Sequence, residues 1–100
     1  MRWSLALVLI GVLAGCAGTP EARDWYVLRV IDGDTFVAEG PGAVRVRMRL
    51  RNFDAPELDE PGGPEAKAAL EARLLDKRVE VRSYATDRYG RAIVTVESRR

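Results

Sequence analysis

From Val44 to Asn52 the chain reads VRVRMRLRN, nine residues of unbroken alternation between apolar and basic or polar side chains. Successive side chains of a β-strand point to opposite faces, so period two over this length predicts a strand. Val44, Val46, Met48 and Leu50 then share one face, and Arg45, Arg47, Arg49 and Arg51 share the other. No other stretch of the chain carries so strong a signal for one conformation.

Weaker patterns on either side complete the list of elements. WYVLRVID, residues 25–32, is rich in aromatic and β-branched residues and predicts a first strand. GDTFVAE continues as a second after a bulge or turn at Asp32-Gly33, and GPGA, residues 40–43, is a hairpin loop. FDAPELDEPGGP, with three prolines and two glycines, is a loop. PEAKAALEARLLDK, residues 64–77, predicts a helix with Pro64 in its first turn and Ala66, Ala69, Leu70 and Leu74 as the apolar stripe. RVEVRSY and AIVTVES are two further strands around the turn-bearing ATDRYGR. Three strands, one helix and two strands make a mainly β, α+β chain. That order fits a five-stranded OB-fold barrel with its helix between strands 3 and 4.

Composition narrows the chemistry. The chain has 100 residues, room for one small domain, with 16 basic and 15 acidic residues and a net charge of +1. There is no overall basic field to attract nucleic acid. With no histidine, a Ser-His triad, a His-ligated zinc and a His base are all excluded. Acid-base or metal chemistry has to rest on carboxylates, arginines, lysines or tyrosines.

The single cysteine, Cys16, follows the apolar run of MRWSLALVLIGVLAGC. Residues 1–15 have the short basic start and h-region length of an export signal, too short for a membrane-spanning helix. LAGC resembles a bacterial lipoprotein signal, with cleavage before Cys16 and lipidation of that residue; a plain secretory signal with a chance cysteine and a short uncleaved anchor are the alternatives. Residues 16–24 then form a lipidated tether, and residues 25–98 the domain. The expected location is the cell envelope, lipid-anchored at the outer membrane or periplasmic face, because Ala17 rather than aspartate follows the cysteine.

Several polar residues fall at the ends of predicted strands. Asp32 and Asp34 flank the Asp-Gly step, and Asp54 and Glu57 lie in FDAPE. Each has an ordinary reading as turn or cap chemistry, and each could serve as an oxygen ligand for a hard cation or as a general base. Four alternating arginines can be a solvated face or a phosphate clamp, and DRYGR can be a surface turn or part of a site. Carboxylates, a cation and two guanidinium groups together are what phosphodiester cleavage needs.

IDGDT, RLRNFDAPE, GPEA at the helix start and TDRYGR occur in the order and spacing of the thermonuclease family. The chain resembles this staphylococcal-nuclease-like group of Ca²⁺-dependent nucleases from about Tyr26 to Val96. The resemblance implies Asp34, Asp54 and the backbone carbonyl of Ala55 as Ca²⁺ ligands, and Glu57 as the general base on the attacking water. It implies Arg49 and Arg91 on the scissile phosphate, Tyr89 and Arg88 on the nucleotide, and Asp32 as an outer-sphere or structural acid. The substrates implied are DNA and RNA, cut to 3′-phosphorylated products. Separately, the near-neutral charge favours single strands over tight duplex binding, and a monomer is expected. The pattern often has threonine at Ala55, and its members continue past the fifth strand into helices that cover the barrel. The alternatives are an OB-fold module that binds nucleic acid without cleaving it, and a truncated, unstable fragment.

Overall fold

The computed structural model describes residues 19–98; the leader, Cys16 and the first residues of the tether lie outside the described residues. Five strands follow in order: β1 (Arg23–Asp32), β2 (Thr35–Glu39), β3 (Arg45–Leu50), β4 (Arg78–Thr86) and β5 (Ala92–Ser98). The helix α1 (Gly63–Leu74) lies between β3 and β4, and a short 3-10 turn covers Pro41–Ala43. The strands close into a barrel in the order β1-β2-β3-β5-β4. Only the β3–β5 pair among them is parallel, with Met48 opposite Ala92 and Leu50 opposite Val94. This is the barrel with one inserted helix that the element order predicts.

Closure depends on β1, whose ten residues serve two neighbours. Its first part pairs with β4, from Arg23 opposite Val81 to Tyr26 opposite Arg78. The rest pairs with β2 through register shifts between Val27 and Arg29 and between Val30 and Asp32. Such bulges add twist and bend the strand, which is how one strand can leave one partner and join another. The strand starts at Arg23, so Arg23 and Asp24 belong to the barrel and not to the tether.

Val27, Val30, Phe36, Ala38, Met48, Val79, Val81 and Val94 fill the barrel, and Leu70 and Leu74 of α1 join them. Apart from Ala38, each such side chain contributes about 1.5–3 kcal/mol when fully buried. Gly63, Leu70 and Leu74 are the buried residues of the helix, whereas Ala69 is exposed. Val44 lies before β3 and is exposed too.

The helix stops three residues short of the predicted Lys77, because β1 claims the backbone there. Leu75 is extended and Asp76 has φ 61°. The Asp76 N–H donates to the Val27 carbonyl at 3.0 Å, and the Val27 N–H donates to Lys77 at 3.0 Å. Helical composition loses to two sheet-type hydrogen bonds on the core strand.

Candidate active site

The site grows from the two-residue turn Gly33-Asp34 between β1 and β2. Asp32 Oδ1 accepts the Asp34 N–H at 3.1 Å, an aspartate closing its own turn. Gly33 does not have the positive φ that an Asp-Gly hairpin signal suggests. Its requirement is space: a Cβ there would lie 2.6 Å from both Ala55 Cβ and Ala66 Cβ. The turn, the 52–60 loop and α1 therefore meet through three small residues. Asn52, at φ 57°, turns the chain out of β3 into that loop.

This packing sets Asp34 beside the loop. Asp34 is only 8% exposed, and its Oδ2 accepts the Ala55 N–H at 3.2 Å. Arg49 reaches across from β3: Nη2 lies 2.5 Å from Asp54 Oδ1 and 3.4 Å from Asp34 Oδ2. Two acids from distant segments thus converge on one cationic group. Burial raises the Asp34 pKa, but its hydrogen bonds with Asp32, Ala55 and Thr35 and the Arg49 charge outweigh that, holding it below the ordinary carboxylate value. Asp32 moves the other way, raised by burial and by its neighbour Asp34.

Thr35, buried at 3% exposure, joins the halves of the site. Its hydroxyl donates to Asp34 Oδ1 at 3.0 Å and accepts from Arg91 Nη1 at 3.4 Å. Arg91 is fixed in turn by Asp87, whose Oδ2 accepts from Nε at 2.8 Å and whose Oδ1 accepts the Arg91 and Tyr89 N–H groups. Burial opposes the Asp87 charge, but these donors and the Arg91 guanidinium keep its pKa below the ordinary value. A continuous chain runs Asp54–Arg49–Asp34–Thr35–Arg91–Asp87. Thr35 and Asp87 are not among the site residues that the sequence points to. Asp87 had a readable signal, since Asp first and Gly90 fourth is a β-turn signature, and Gly90 N–H does donate to the Asp87 carbonyl at 3.0 Å.

Glu57, Tyr89, Arg91 and Arg47 line an open, polar cleft of about 410 Å³. Tyr89 is 60% exposed, with the Arg88 and Arg91 guanidinium groups 5.2 and 5.4 Å from its ring centre. Glu57 sits on a tight loop: its N–H donates to Glu60 Oε1 at 2.8 Å and its carbonyl accepts the Glu60 N–H at 2.9 Å. The start of α1 presses on this loop, with Gly63 against the Glu57 carbonyl. The structure therefore gathers Asp34, Arg49 and Asp54 at one point, with Asp32 and Ala55 bound to Asp34. Glu57, Tyr89 and Arg91 gather at a second, linked through Thr35, with Arg88 stacked at its rim.

As a cation site, Asp34, Asp54 and the Ala55 carbonyl offer only oxygen donors, the chemistry a hard divalent ion prefers. That both carboxylates already point at one positive group fits such an ion. Among the described residues no group of three or more His, Cys, Asp or Glu side chains is placed to hold a metal ion by itself.

Residues 47–100 match the family described as staphylococcal nuclease homologue. An uncharacterized endonuclease of Haemophilus influenzae is 30% identical over 90 residues, covering 90% of this chain and 49% of its own length. A probable staphylococcal-like nuclease of Oryza sativa is 47% identical over 80 residues, covering 80% of this chain and 20% of its own. A micrococcal nuclease of Shigella flexneri is 34% identical over 70 residues, covering 70% and 40%. The chain thus spans about half the length of the first of these relatives, and less of the others. Closed barrel, linked arginines and aspartates, and matched sequence agree: this chain belongs to the staphylococcal nuclease homologue family.

Proposed function

We propose that this domain is a nuclease that hydrolyses phosphodiester bonds of DNA and RNA with the help of Ca²⁺. The observation that carries the reading is the coupling of two guanidinium groups, Arg49 and Arg91, through buried Thr35 and Asp34, beside a cleft that also holds Glu57. The nuclease names of its relatives support it.

Arg49 and Arg91 bind the non-bridging oxygens of the scissile phosphate, each able to offer two parallel N–H donors. Glu57 accepts a proton from a water in the cleft as its oxygen attacks phosphorus. The bond to the 5′ oxygen breaks, its electron pair leaves with that oxygen, and a solvent proton neutralises it. A 3′-phosphate and a 5′-hydroxyl result. Charge growing on the phosphoryl oxygens is met by the two fixed guanidinium groups, which Asp87 and the Asp34–Asp54 pair hold in place. Asp34, Asp54 and the Ala55 carbonyl would hold the Ca²⁺, which would supply further positive charge to offset the charge that grows in the reaction. Asp32 acts through the turn, by holding the Asp34 N–H. Tyr89 and Arg88 present an aromatic face and a charge to the nucleotide. Export and lipidation at Cys16 would set this chemistry in the cell envelope, a reading from the leader sequence that a mass shift of acylated peptide would test.

The test is cleavage of a single-stranded oligonucleotide with Ca²⁺ or with chelator, and mass analysis of the products. Glu57→Gln should lower kcat by about 10²–10⁴ while retaining oligonucleotide binding. Equal cleavage by the variant, chelator-resistant cleavage or 5′-phosphate products would overturn the mechanism. Binding without cleavage by the wild type would leave a nucleic-acid-binding module.

A further inference from the structure

Of the six arginines at positions 45–51 and 88–91, five already face a carboxylate or an aromatic ring. Arg45 pairs with Glu39, Arg49 with Asp34 and Asp54, and Arg91 with Asp87. Arg51 stacks on Tyr84 at 4.0 Å, and Arg88 on Tyr89. Arg47 differs. It is exposed, lines the same cleft as Glu57 and Arg91, and has a neutral partner, the Tyr89 carbonyl, which accepts from its Nη2 at 3.0 Å. Glu57 shares the cleft but makes no ion pair with it among the described residues. One hydrogen bond fixes where this guanidinium sits and leaves its charge and its remaining donors without an acidic partner.

The position along β3 matters as much as the charge. Arg47 and Arg49 are two residues apart, on one face, with Arg47 opposite Val37 and Arg49 opposite Thr35 on β2. Two residues of strand advance about 6.6–6.8 Å, a distance on the scale of one nucleotide step along an extended single strand. If Arg49 holds the scissile phosphate, Arg47 stands where a neighbouring phosphate of the same strand would pass.

We propose that Arg47 is a phosphate subsite: it grips the internucleotide phosphate next to the scissile one, and so favours oligonucleotides over substrates with a single phosphodiester. This rests on the nuclease reading above and adds to it the minimum substrate. The bond to Tyr89 is then a positioning contact that keeps the guanidinium extended along the cleft.

The test uses fluorescently labelled trinucleotides, which have two internucleotide phosphates. One is natural, and two others each carry an uncharged methylphosphonate at one position. Dissociation constants are measured with Ca²⁺ on the Glu57→Gln protein, which binds without cutting, with Arg47 intact or changed to Gln or Lys. One methylphosphonate isomer should bind about tenfold more weakly than the natural strand when Arg47 is intact, the size of a charge-assisted contact. Arg47→Gln should weaken the natural strand by a similar factor and abolish the difference between it and that isomer. Arg47→Lys should restore most of the difference, and Arg47→Gln should lower the slope of log affinity against log salt by about one.

Equal weakening of all three strands by Arg47→Gln would show that Arg47 merely holds the Tyr89 turn, and would overturn the subsite. No weakening at all would overturn it too. Cleavage by the Glu57-containing protein is scored separately. If it fails while the binding pattern holds, the nuclease reading falls and the phosphate subsite stands.

Discussion

Gly63→Ala should slow catalysis far more than it disturbs the fold. Gly63 is the first residue of α1 and is buried. A Cβ placed there would meet the Glu57 carbonyl oxygen and lie 2.8 Å from Leu58 Cα. Carbon atoms pack at about 3.5–4.0 Å, so helix and loop must separate by about 1 Å. Backbone is involved, and no flexible side chain can swing aside. The helix is anchored in the core by Leu70 and Leu74, whereas residues 56–60 are exposed, so the loop is the part that yields. It carries Glu57, and a displacement of that size in a catalytic group costs about 10²-fold in rate. Overpacking costs about 1–3 kcal/mol, partly offset because alanine is about 0.5–1 kcal/mol better than glycine inside a helix. Gly63 does not have a positive φ, so alanine adds no backbone strain. The measurement is kcat on a single-stranded oligonucleotide beside a thermal melt. Gly62→Ala is the control: Gly62 has φ 86°, and its Cβ would meet only Pro56 Cγ, at 3.6 Å. It should lose about 1–2 kcal/mol of stability with kcat per folded molecule within about threefold of wild type. A folded Gly63→Ala protein with wild-type kcat, or equal rate losses in both variants, would refute the reasoning.

Other perturbations probe the rest of the site. Gly33→Ala forces a methyl group between Ala55 and Ala66, neither of which can rotate away, and should cost about 1–3 kcal/mol in a denaturant titration. Thr35→Val removes the hydroxyl between Asp34 and Arg91; the buried groups left without it should cost about 1–3 kcal/mol in the melt, with a lower kcat as Arg91 loosens. Arg49→Gln leaves Asp34 and Asp54 facing each other without their countercharge, so added Ca²⁺ should raise its melting temperature more than that of the wild type. Asp87 has a folded pKa below its ordinary 3.8, so its contribution is complete above that value and is lost as pH falls through the folded value. Thermal melts taken between pH 6 and pH 3 should therefore fall more steeply for the wild type than for Asp87→Asn.

What could be read in advance was whatever a short stretch specifies by itself. The alternation at 44–52 specifies β3 because period two needs nothing from the rest of the chain. The carboxylates and arginines of IDGDT, FDAPE and DRYGR stood out because their types and spacing are local too. Features set by a second segment were hidden. Leu75 to Lys77 have helical composition, yet Val27 takes their backbone for the sheet. Arg47 looked like one of four equivalent solvated arginines until the Tyr89 carbonyl and the carboxylate partners of its neighbours distinguished it. Thr35 gave no signal, because a threonine at a strand start is ordinary; its meaning lies in Arg91, which is 56 residues away.

The same reasoning bears on Ala55, where the family pattern often has threonine. Beside it, Gly33 and Ala66 leave so little room that a single added methyl group on Gly33 would sit 2.6 Å from each alanine Cβ. Threonine would bring two more heavy atoms to the edge of this contact, while the Ala55 N–H that holds Asp34 does not depend on the side chain. The alanine therefore keeps the backbone contact at this position, the N–H to Asp34, and leaves its carbonyl free of any side-chain requirement for the proposed cation, but offers no hydroxyl. A site built this way has to fix its carboxylates through backbone and neighbours. Thr35, one residue after Asp34, supplies a hydroxyl to that carboxylate from the other side, at 3.0 Å. If that division holds, Thr35→Val should impair Asp34 more in this chain than in an Ala55→Thr background, and a double-mutant cycle on Ca²⁺ affinity would show coupling between the two positions. Strict additivity would mean that the hydroxyl of Thr35 serves Arg91 alone.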